Sequence, residues 1–406
     1  MCINMIEIRR LENADLVQFY KIHTVVYNGR RNFSDDDDCE PGPLQHPADW
    51  AVGAFEGTKL LAGIFELNFL MRFDGNSVKM TGIGGVGTLP EARKGGYIRQ
   101  IFEKTLPESY ENGVVFSNLA PFSHDFYRKF GYEITTVRNN ISIPTLKFSD
   151  IKPYGQFIHI LPGDDTSDLA KIHSAYIDNI NHAIHRDYWP DNKSWKLFTE
   201  QDPYSTGNYL YLWKNEDGVP KSYIKYRDGE DDGEHQMYVR EIMFSDKEGF
   251  YGILGLISGL STQFQYFKWP MPDFINPMDI IGDAWAVEMN LKPKDMTRVV
   301  NVQKALELMR RPELAGEYII QIEDKNISAN SGKYHVEFGA GETKVSKTSK
   351  EADVICDILT FSQLVTGHRT LENVMYSRKK GLEINANIET LKRVFTLRPQ
   401  HITEYF

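Results

Sequence analysis

The stretch from Gly82 to Lys104, GIGGVGTLPEARKGGYIRQIFEK, restricts what this chain can become more than any other. Ahead of the turn, Ser77 to Val86 alternates as a strand does. Behind it, Tyr97 to Leu106 has helical spacing, with Ile98, Ile101, Phe102 and Leu106 on one face. Between them lie Arg93, Lys94, Gly95 and Gly96, so the first amides of the helix stand unpaired at the positive end of its dipole. The glycines let an anion approach the backbone and the two cations add charge, which makes the turn a candidate seat for a diphosphate. A plain strand-to-helix connection also fits these residues, because a glycine-rich turn alone is a weak signal. A second signal follows at the right distance. Residues 114 to 118 (VVFSN) pattern as the next strand, and Pro121 to Tyr132 (PFSHDFYRKFGY) as a short helix ended by Gly131.

Together these stretches resemble the acetyl-coenzyme A binding core of the GNAT acetyltransferases. The family pattern R/Q-x-x-G-x-G/A reads here Arg93-Lys94-Gly95-Gly96-Tyr97-Ile98, and departs from it at Ile98, where the family usually has a small residue. TLPEARKGGYIRQIF and FYRKFGYE resemble more narrowly the Eis group of N-acetyltransferases. The resemblance implies an α/β (α+β) chain with two tandem GNAT-like domains, residues 1–148 and 149–290, the second with a degenerate cofactor turn. A sterol-carrier-protein-like α+β domain over 291–406 follows. Length agrees, since 406 residues suit two or three domains.

Composition narrows the partners. With 41% apolar and 25% charged residues the chain reads as an ordinary soluble protein. A net charge of −10 argues against nucleic acid and favours cationic small molecules or basic peptide ends. Cys2, Cys39 and Cys356 are odd in number and far apart, as free thiols in a reducing cytoplasm would be. MCINMIEIRR has no apolar core of signal-peptide length, and Phe250 to Leu260 is too short to span a bilayer and reads as a buried helix. A cytoplasmic protein without membrane contact is expected.

In chain order, Met5 to Arg9 reads as a strand and Ala14 to Tyr27 as a helix capped by Asn13. A polar loop, Asn28 to Asp49, carries Asp35, Asp36, Asp37 and Asp38, either as a solvated run or as the border of a pocket for polycations. Residues 50 to 56 and 59 to 71 pattern as a hairpin around Gly57-Thr58. The first domain closes on a strand over 132 to 143. In the second unit a helix at Asp165 to Asn179, strands at Tyr209 to Lys214, Pro220 to Arg227 and Gln236 to Phe244, and a helix at Glu248 to Gln263 repeat the order of the first. FSDKEGFYGIL stands where the glycine turn would be, without its arginine or paired glycines, so this copy is not expected to bind the coenzyme. His182 and His185 have a spacing that metal ligands can have, but no third ligand is suitably placed, and no metal is expected. Arg186, Trp189 and Trp195 read as packing against the neighbouring domain, with the border of the acceptor pocket as the alternative. The final third opens with a helix at Thr297 to Met309, continues with strands at Gly316 to Glu323, Lys333 to Phe338 and Thr343 to Ser346, and ends ITEYF.

The resemblance supplies roles that the spacing alone does not. It implies acetyl-coenzyme A as cosubstrate, held by Val86, Gly87, Thr88, Arg93, Lys94, Gly95, Gly96, Tyr97, Ile98, Arg99, Phe122 and Ser123. By the same match Tyr127 is the general acid and the Phe406 carboxylate the general base. Read from the residues alone, Tyr127 is a neighbour on an amphipathic helix that buries Phe126 and Phe130, and Tyr405-Phe406 simply dock on the body. The implied acceptor is a primary amine, small or peptidyl, in a polycation such as an aminoglycoside, a polyamine or a lysine side chain. The implied assembly is a homo-hexamer. A non-catalytic sensor of acetyl-coenzyme A or a carrier of an apolar ligand is the alternative.

Overall fold

The computed structural model describes residues 5–29, 48–186, 193–313, 315–339, 341–377 and 381–404. The first unit runs β1 (Ile6–Arg10), α1 (Leu16–Val26), β2 (Ala51–Glu56), β3 (Lys59–Phe73), β4 (Asn76–Thr88), α2 (Tyr97–Glu111), β5 (Phe116–Leu119), α3 (His124–Arg128) and β6 (Glu133–Ile134). Asn13 does not cap α1, contrary to its residue type. It opens a short 3-10 turn in which the Asp15 carboxylate accepts from Glu12 N at 2.9 Å and pairs with Arg9 at 2.7 Å. β1 to β4 form antiparallel ladders, and β5 lies parallel to β4. On one side α2 packs Ile98, Ile101, Phe102 and Leu106 with Val52, Ala54, Ala62 and Ile64. On the other, Phe19 and Ile22 of α1 join Leu60, Phe65 and Leu67. Because both faces are covered, β3 is buried almost continuously along its first half instead of alternating.

The second unit holds β7 (Val137–Pro144), β8 (Gln156–His159), α4 (Ser167–Ile177), α5 (Lys193–Thr199), α6 (Pro203–Thr206), β9 (Asn208–Lys214), β10 (Pro220–Asp231), β11 (Glu234–Phe244), α7 (Lys247–Gly259), β12 (Tyr266–Met271) and β13 (Glu288–Pro293), and is followed by β14 (Met296–Val299). Its sheet is ordered β13-β7-β12-β11-β10-β9-β8, and β11 and β12 are its parallel pair. α7 is the buried helix expected of the apolar run, with Phe250, Ile253, Leu254 and Ile257 in the core beneath Trp213 and Trp269.

The two units exchange strands. The strand expected over 132 to 143 breaks in two: β6 stays in the first sheet while β7 joins the second, between β12 and β13. In return β14 enters the first sheet, antiparallel to both β5 and β6. Thr135 Oγ1 to Thr297 Oγ1 at 2.6 Å and Thr136 Oγ1 to Asp295 Oδ2 at 3.1 Å hold the crossing point. The helix expected from Thr297 therefore starts later. Met296 to Val299 are all buried between two strands, and Asn301 accepts from Lys304 N at 2.9 Å to cap the helix that follows.

The third unit contains α8 (Val302–Leu308), β15 (Gly316–Glu323), β16 (Gly332–Gly339), β17 (Glu342–Lys347), β18 (Val354–Asp357), α9 (Ile358–Val365), α10 (Leu371–Met375), β19 (Leu382–Ile384) and α11 (Ile388–Val394), with sheet order β17-β16-β15-β18-β19. Arg298 of β14 joins it to the first unit. Its buried guanidinium bonds Asp324, Asn326 and the Phe130 carbonyl, and Gly131 (φ +84) passes so close that a Cβ would lie 2.1 Å from Arg298 Nη1.

Candidate active site

β4 and β5 pair only over Met80–Ile83 and Phe116–Leu119. β4 runs on to Thr88 with β3 alone beside it, so a wedge opens where β5 has ended. Within the wedge β4 carries a bulge: Gly63 pairs with Gly87 and Phe65 with Gly84, leaving Gly85 and Val86 opposite Ile64. Gly85 has φ +56, and a Cβ there would lie 2.5 Å from the His23 ring. His23 Nε2 lies 2.8 Å from the Gly85 carbonyl, and burial lowers the pKa of the ring. The ring is therefore neutral with its proton on Nε2, since the carbonyl can only accept. The Tyr27 hydroxyl donates to the Val86 carbonyl at 3.3 Å. Neither His23 nor Tyr27 was marked by a sequence motif. What positions them is helical spacing on α1 and the shape of a bulge that pattern reading does not show.

The turn behaves as its glycines require. Lys94 (φ +69) and Gly96 (φ +76) are left-handed, and a Cβ on Gly95 would lie 2.4 Å from the Tyr97 ring. Gly96 is the N-cap of α2 and no side chain caps the helix. Arg93, Lys94, Gly95 and Arg99 are exposed around that end. Ile98 points the other way, 8% exposed in the core with Phe102 and Tyr127, which explains why a large apolar residue is accommodated in the motif's last position. Beyond β5, Phe122 is 71% exposed, and the Ser123 hydroxyl accepts from Phe126 N to cap α3.

Tyr127 is 2% exposed, with ring centroids 5.3 Å from Phe122, 5.1 Å from Phe126 and 6.3 Å from Tyr132. Its hydroxyl has no hydrogen-bond partner among the described residues. Burial, with the neighbouring phenols Tyr27 and Tyr132 adding, pushes its pKa well above the ordinary value. Tyr132 is differently placed. Ser117 Oγ donates to the Thr81 carbonyl at 3.0 Å, so it accepts from Tyr132, whose hydroxyl at 2.7 Å is already committed.

The C-terminal segment is threaded between the units. Arg398 Nε pairs with both Asp74 oxygens at 2.9 Å, Asn181 N donates to the Pro399 carbonyl at 2.9 Å, and the Tyr176 hydroxyl lies 2.8 Å from His401 Nδ1. Lys294 Nζ donates to the Ile402 carbonyl, while Lys294 N donates to the Thr136 carbonyl at 3.0 Å. Arg186 is a clamp more than a packing residue: it bonds Glu404 at 2.8 Å and Glu241 at 2.8 Å, under Trp195 and Phe198. Burial raises the Glu241 carboxyl, but Arg186 overcomes that and holds it at about 2. Tyr405 and Phe406, Trp189, and Asp35 to Cys39 lie outside the described residues.

His182 and His185 turn to different neighbours, His182 buried beside Phe116 and His185 Nε2 at 3.0 Å from Ser77 Oγ. On the third sheet Glu317, His335 and Glu337 bring ligand-type atoms within 4.8 Å of one another. The two carboxylates are exposed. Among the described residues no helix is long and apolar enough to cross a membrane.

Residues 7–135 match the acetyltransferase (GNAT) domain family, and residues 302–403 match the sterol carrier protein domain family. No curated protein matches the chain in sequence. Among solved structures, a conserved protein of Enterococcus faecalis V583 described as a probable N-acyltransferase is similar at TM-score 0.84 and 22% identity, over 99% of this chain and 100% of that one. A GCN5-related N-acetyltransferase of Anabaena variabilis is similar at 0.84 and 18%, and Eis1 of Mycobacterium abscessus at 0.81 and 17%, each over 99% of this chain and 100% of its own. The chain thus carries a GNAT acetyltransferase domain over residues 7–135 and a sterol carrier protein domain over 302–403, and shares the whole-chain fold of Eis1.

Proposed function

We propose that the chain transfers acetyl from acetyl-coenzyme A to a primary amine, by direct attack in the wedge between β4 and β5. The observation that carries this reading is the uncapped amino end of α2, with Arg93, Lys94 and Arg99 exposed around it, beside a strand whose edge has lost its partner. A diphosphate would take the free amides of Gly96, Tyr97, Ile98 and Arg99, and Gly95 leaves room for its approach. The pantetheine arm would lie as a surrogate strand along Val86, Gly87 and Thr88, with an amide there polarising the thioester carbonyl. Phe122 and Ser123 would border the arm from the β5 side.

In the transfer, the amine nitrogen bonds to the carbonyl carbon, the carbon–sulfur bond breaks, and the sulfur leaves with a proton from Tyr127. The raised pKa keeps this phenol protonated at every working pH, so it acts first as a hydrogen-bond donor to the developing thiolate. The Phe406 carboxylate would take the amine's proton. Its ordinary pKa of ~3.5 against ~10 for an amine means that the proton moves as the new bond forms, directly or through a water. Glu404 is fixed to Arg186, and two further residues reach at most roughly 7 Å. Association of identical subunits, as a hexamer, and a cytoplasmic setting belong to the same proposal.

The test is release of coenzyme A thiol from acetyl-coenzyme A across a panel of amines. Amine-dependent release with an acetylated product supports the reading. Binding of acetyl-coenzyme A with no turnover on any amine makes the protein a sensor and sinks it.

A further inference from the structure

The second sheet and the C-terminal segment enclose a cavity of about 1630 Å³ that continues from the crossing point at Thr136 to the end of the described tail at Glu404. Its charge runs against that of the chain. The whole sequence carries −10, yet seven lysine and arginine side chains line this space against three glutamates. Two of the three, Glu241 and Glu404, are taken by Arg186. Lys268 and Lys294 have carboxylate partners in Asp231 and Asp295. Arg227 and Arg240 have no ion pair among the described residues. Arg240 is the extra residue of a bulge on β11, where Lys225 pairs with Glu241 and Tyr226 with Val239, and Arg227 lies across from Tyr238 on the adjacent strand. Lys225 joins them, 4.2 Å over the Phe198 ring. Burial, with Arg186 and Arg240 adding, lowers it to about 8 against the opposing pull of Glu241. Cations gathered in a concave, partly desolvated space without their full complement of counter-charges favour an anionic occupant and repel a cationic one.

We propose that this cavity holds the body of the acceptor, and that Arg227 and Arg240 select amines bearing carboxylate or phosphate groups over polyamines and aminoglycosides. The proposal rests on the transfer reading above, because the tail that lines the cavity is the segment whose last carboxylate would meet the amine. An acceptor seated here extends its amine past Glu404 while its acid groups face β10 and β11.

The full chain with acetyl-coenzyme A is assayed on tri-glutamate, phosphoethanolamine, ethanolamine and spermidine. The two acidic amines separate carboxylate from phosphate recognition, and at least one of them should exceed spermidine in kcat/KM by about ten-fold or more. In an Arg227→Glu, Arg240→Glu double variant, the ratio of that amine to ethanolamine should fall by a further factor of about 100, and in Arg240→Ala by less but in the same direction. Both arginines are exposed, so the fold should tolerate these changes. Calorimetry without acetyl-coenzyme A adds a readout that does not need turnover: binding of tri-glutamate or phosphoethanolamine that the double variant loses supports the site. If spermidine is preferred, or the ratio survives charge reversal, the selection is overturned while transfer stands. If no amine is acetylated but the acidic probes still bind, the cavity is an anion site and its assignment to an acceptor is overturned. If neither acidic probe binds, the site itself is overturned.

Discussion

The molecule contains the same construction twice, and the two copies differ at one helix terminus. In the first, β4 and β5 part after four pairs and the helix between them starts at Gly96 with no side chain on its amides. In the second, β11 and β12 part after three pairs, and α7 starts at Asp246, whose carboxylate accepts from Gly249 N at 2.9 Å and pairs with Lys221. A fixed carboxylate sits where a diphosphate would have to sit, so the second copy has satisfied its helix dipole from within. Its wedge carries arginine and lysine side chains along the strands instead. The shared topology therefore does not leave the same helix end in both copies: the first amides of α2 carry no side-chain cap, and those of α7 do.

The comparison breaks most sharply at Tyr127. After β12 the second copy continues Pro272-Asp273-Phe274 with no tyrosine-bearing helix, so if turnover belongs to the first copy, Tyr127→Phe should lower kcat about 100-fold or more with little change in KM for acetyl-coenzyme A. An unchanged kcat removes Tyr127 from the acid's role. Adding one residue after Phe406 displaces the terminal carboxylate by up to ~3.5 Å and should cost about 100-fold in kcat, measured by the same thiol release. Full activity in the extended chain would show that the base is another group.

Acid probes the histidines that burial keeps neutral in the second unit, the tail and the third unit. His173 and His401 are pushed down to about 3, as is His182 at the junction, and His368 to about 4. Each folded pKa lies below the ordinary ~6.5, so the unfolded chain binds more protons between the two values. Stability is then complete above about pH 6.5 and falls as pH drops towards 3, by roughly 1.4 kcal/mol per pH unit for each histidine. Melting temperature followed from pH 7.5 to 5.0 should hold down to about pH 6.5 and decline below it, and a profile flat to pH 5.0 would contradict these burials. The smallest effect is expected at Asp246→Ala, which removes a cap worth about 1 kcal/mol without creating coenzyme binding at α7. Chemical denaturation measures the first part and calorimetry the second.

Much of the first copy was legible because its signals are local. The paired glycines, the helical face of Ile98, Ile101, Phe102 and Leu106, and the lack of a glycine pair in FSDKEGFYGIL of the second copy lie within a few residues of what they determine. The exchange of β7 and β14 was not, since Thr135 and Thr297 meet across more than a hundred residues and Met296 to Val299 fit a helical pattern as well as a strand. Arg186 read as packing because Glu241 and Glu404 come from distant segments. The net charge does not show where charge gathers, for a related reason. It averages over the chain, whereas Arg227, Arg240 and Lys225 are collected into one space by the pairing of β10 with β11.

The most direct test is the stoichiometry of acetyl-coenzyme A measured by calorimetry on the full chain and on two variants. One site per chain is expected, lost in Gly96→Asp, which copies the second helix's carboxylate onto the first, and retained in Asp246→Ala. Two sites per chain, or a single site that survives Gly96→Asp and disappears in Asp246→Ala, would contradict the assignment of the coenzyme to the first copy.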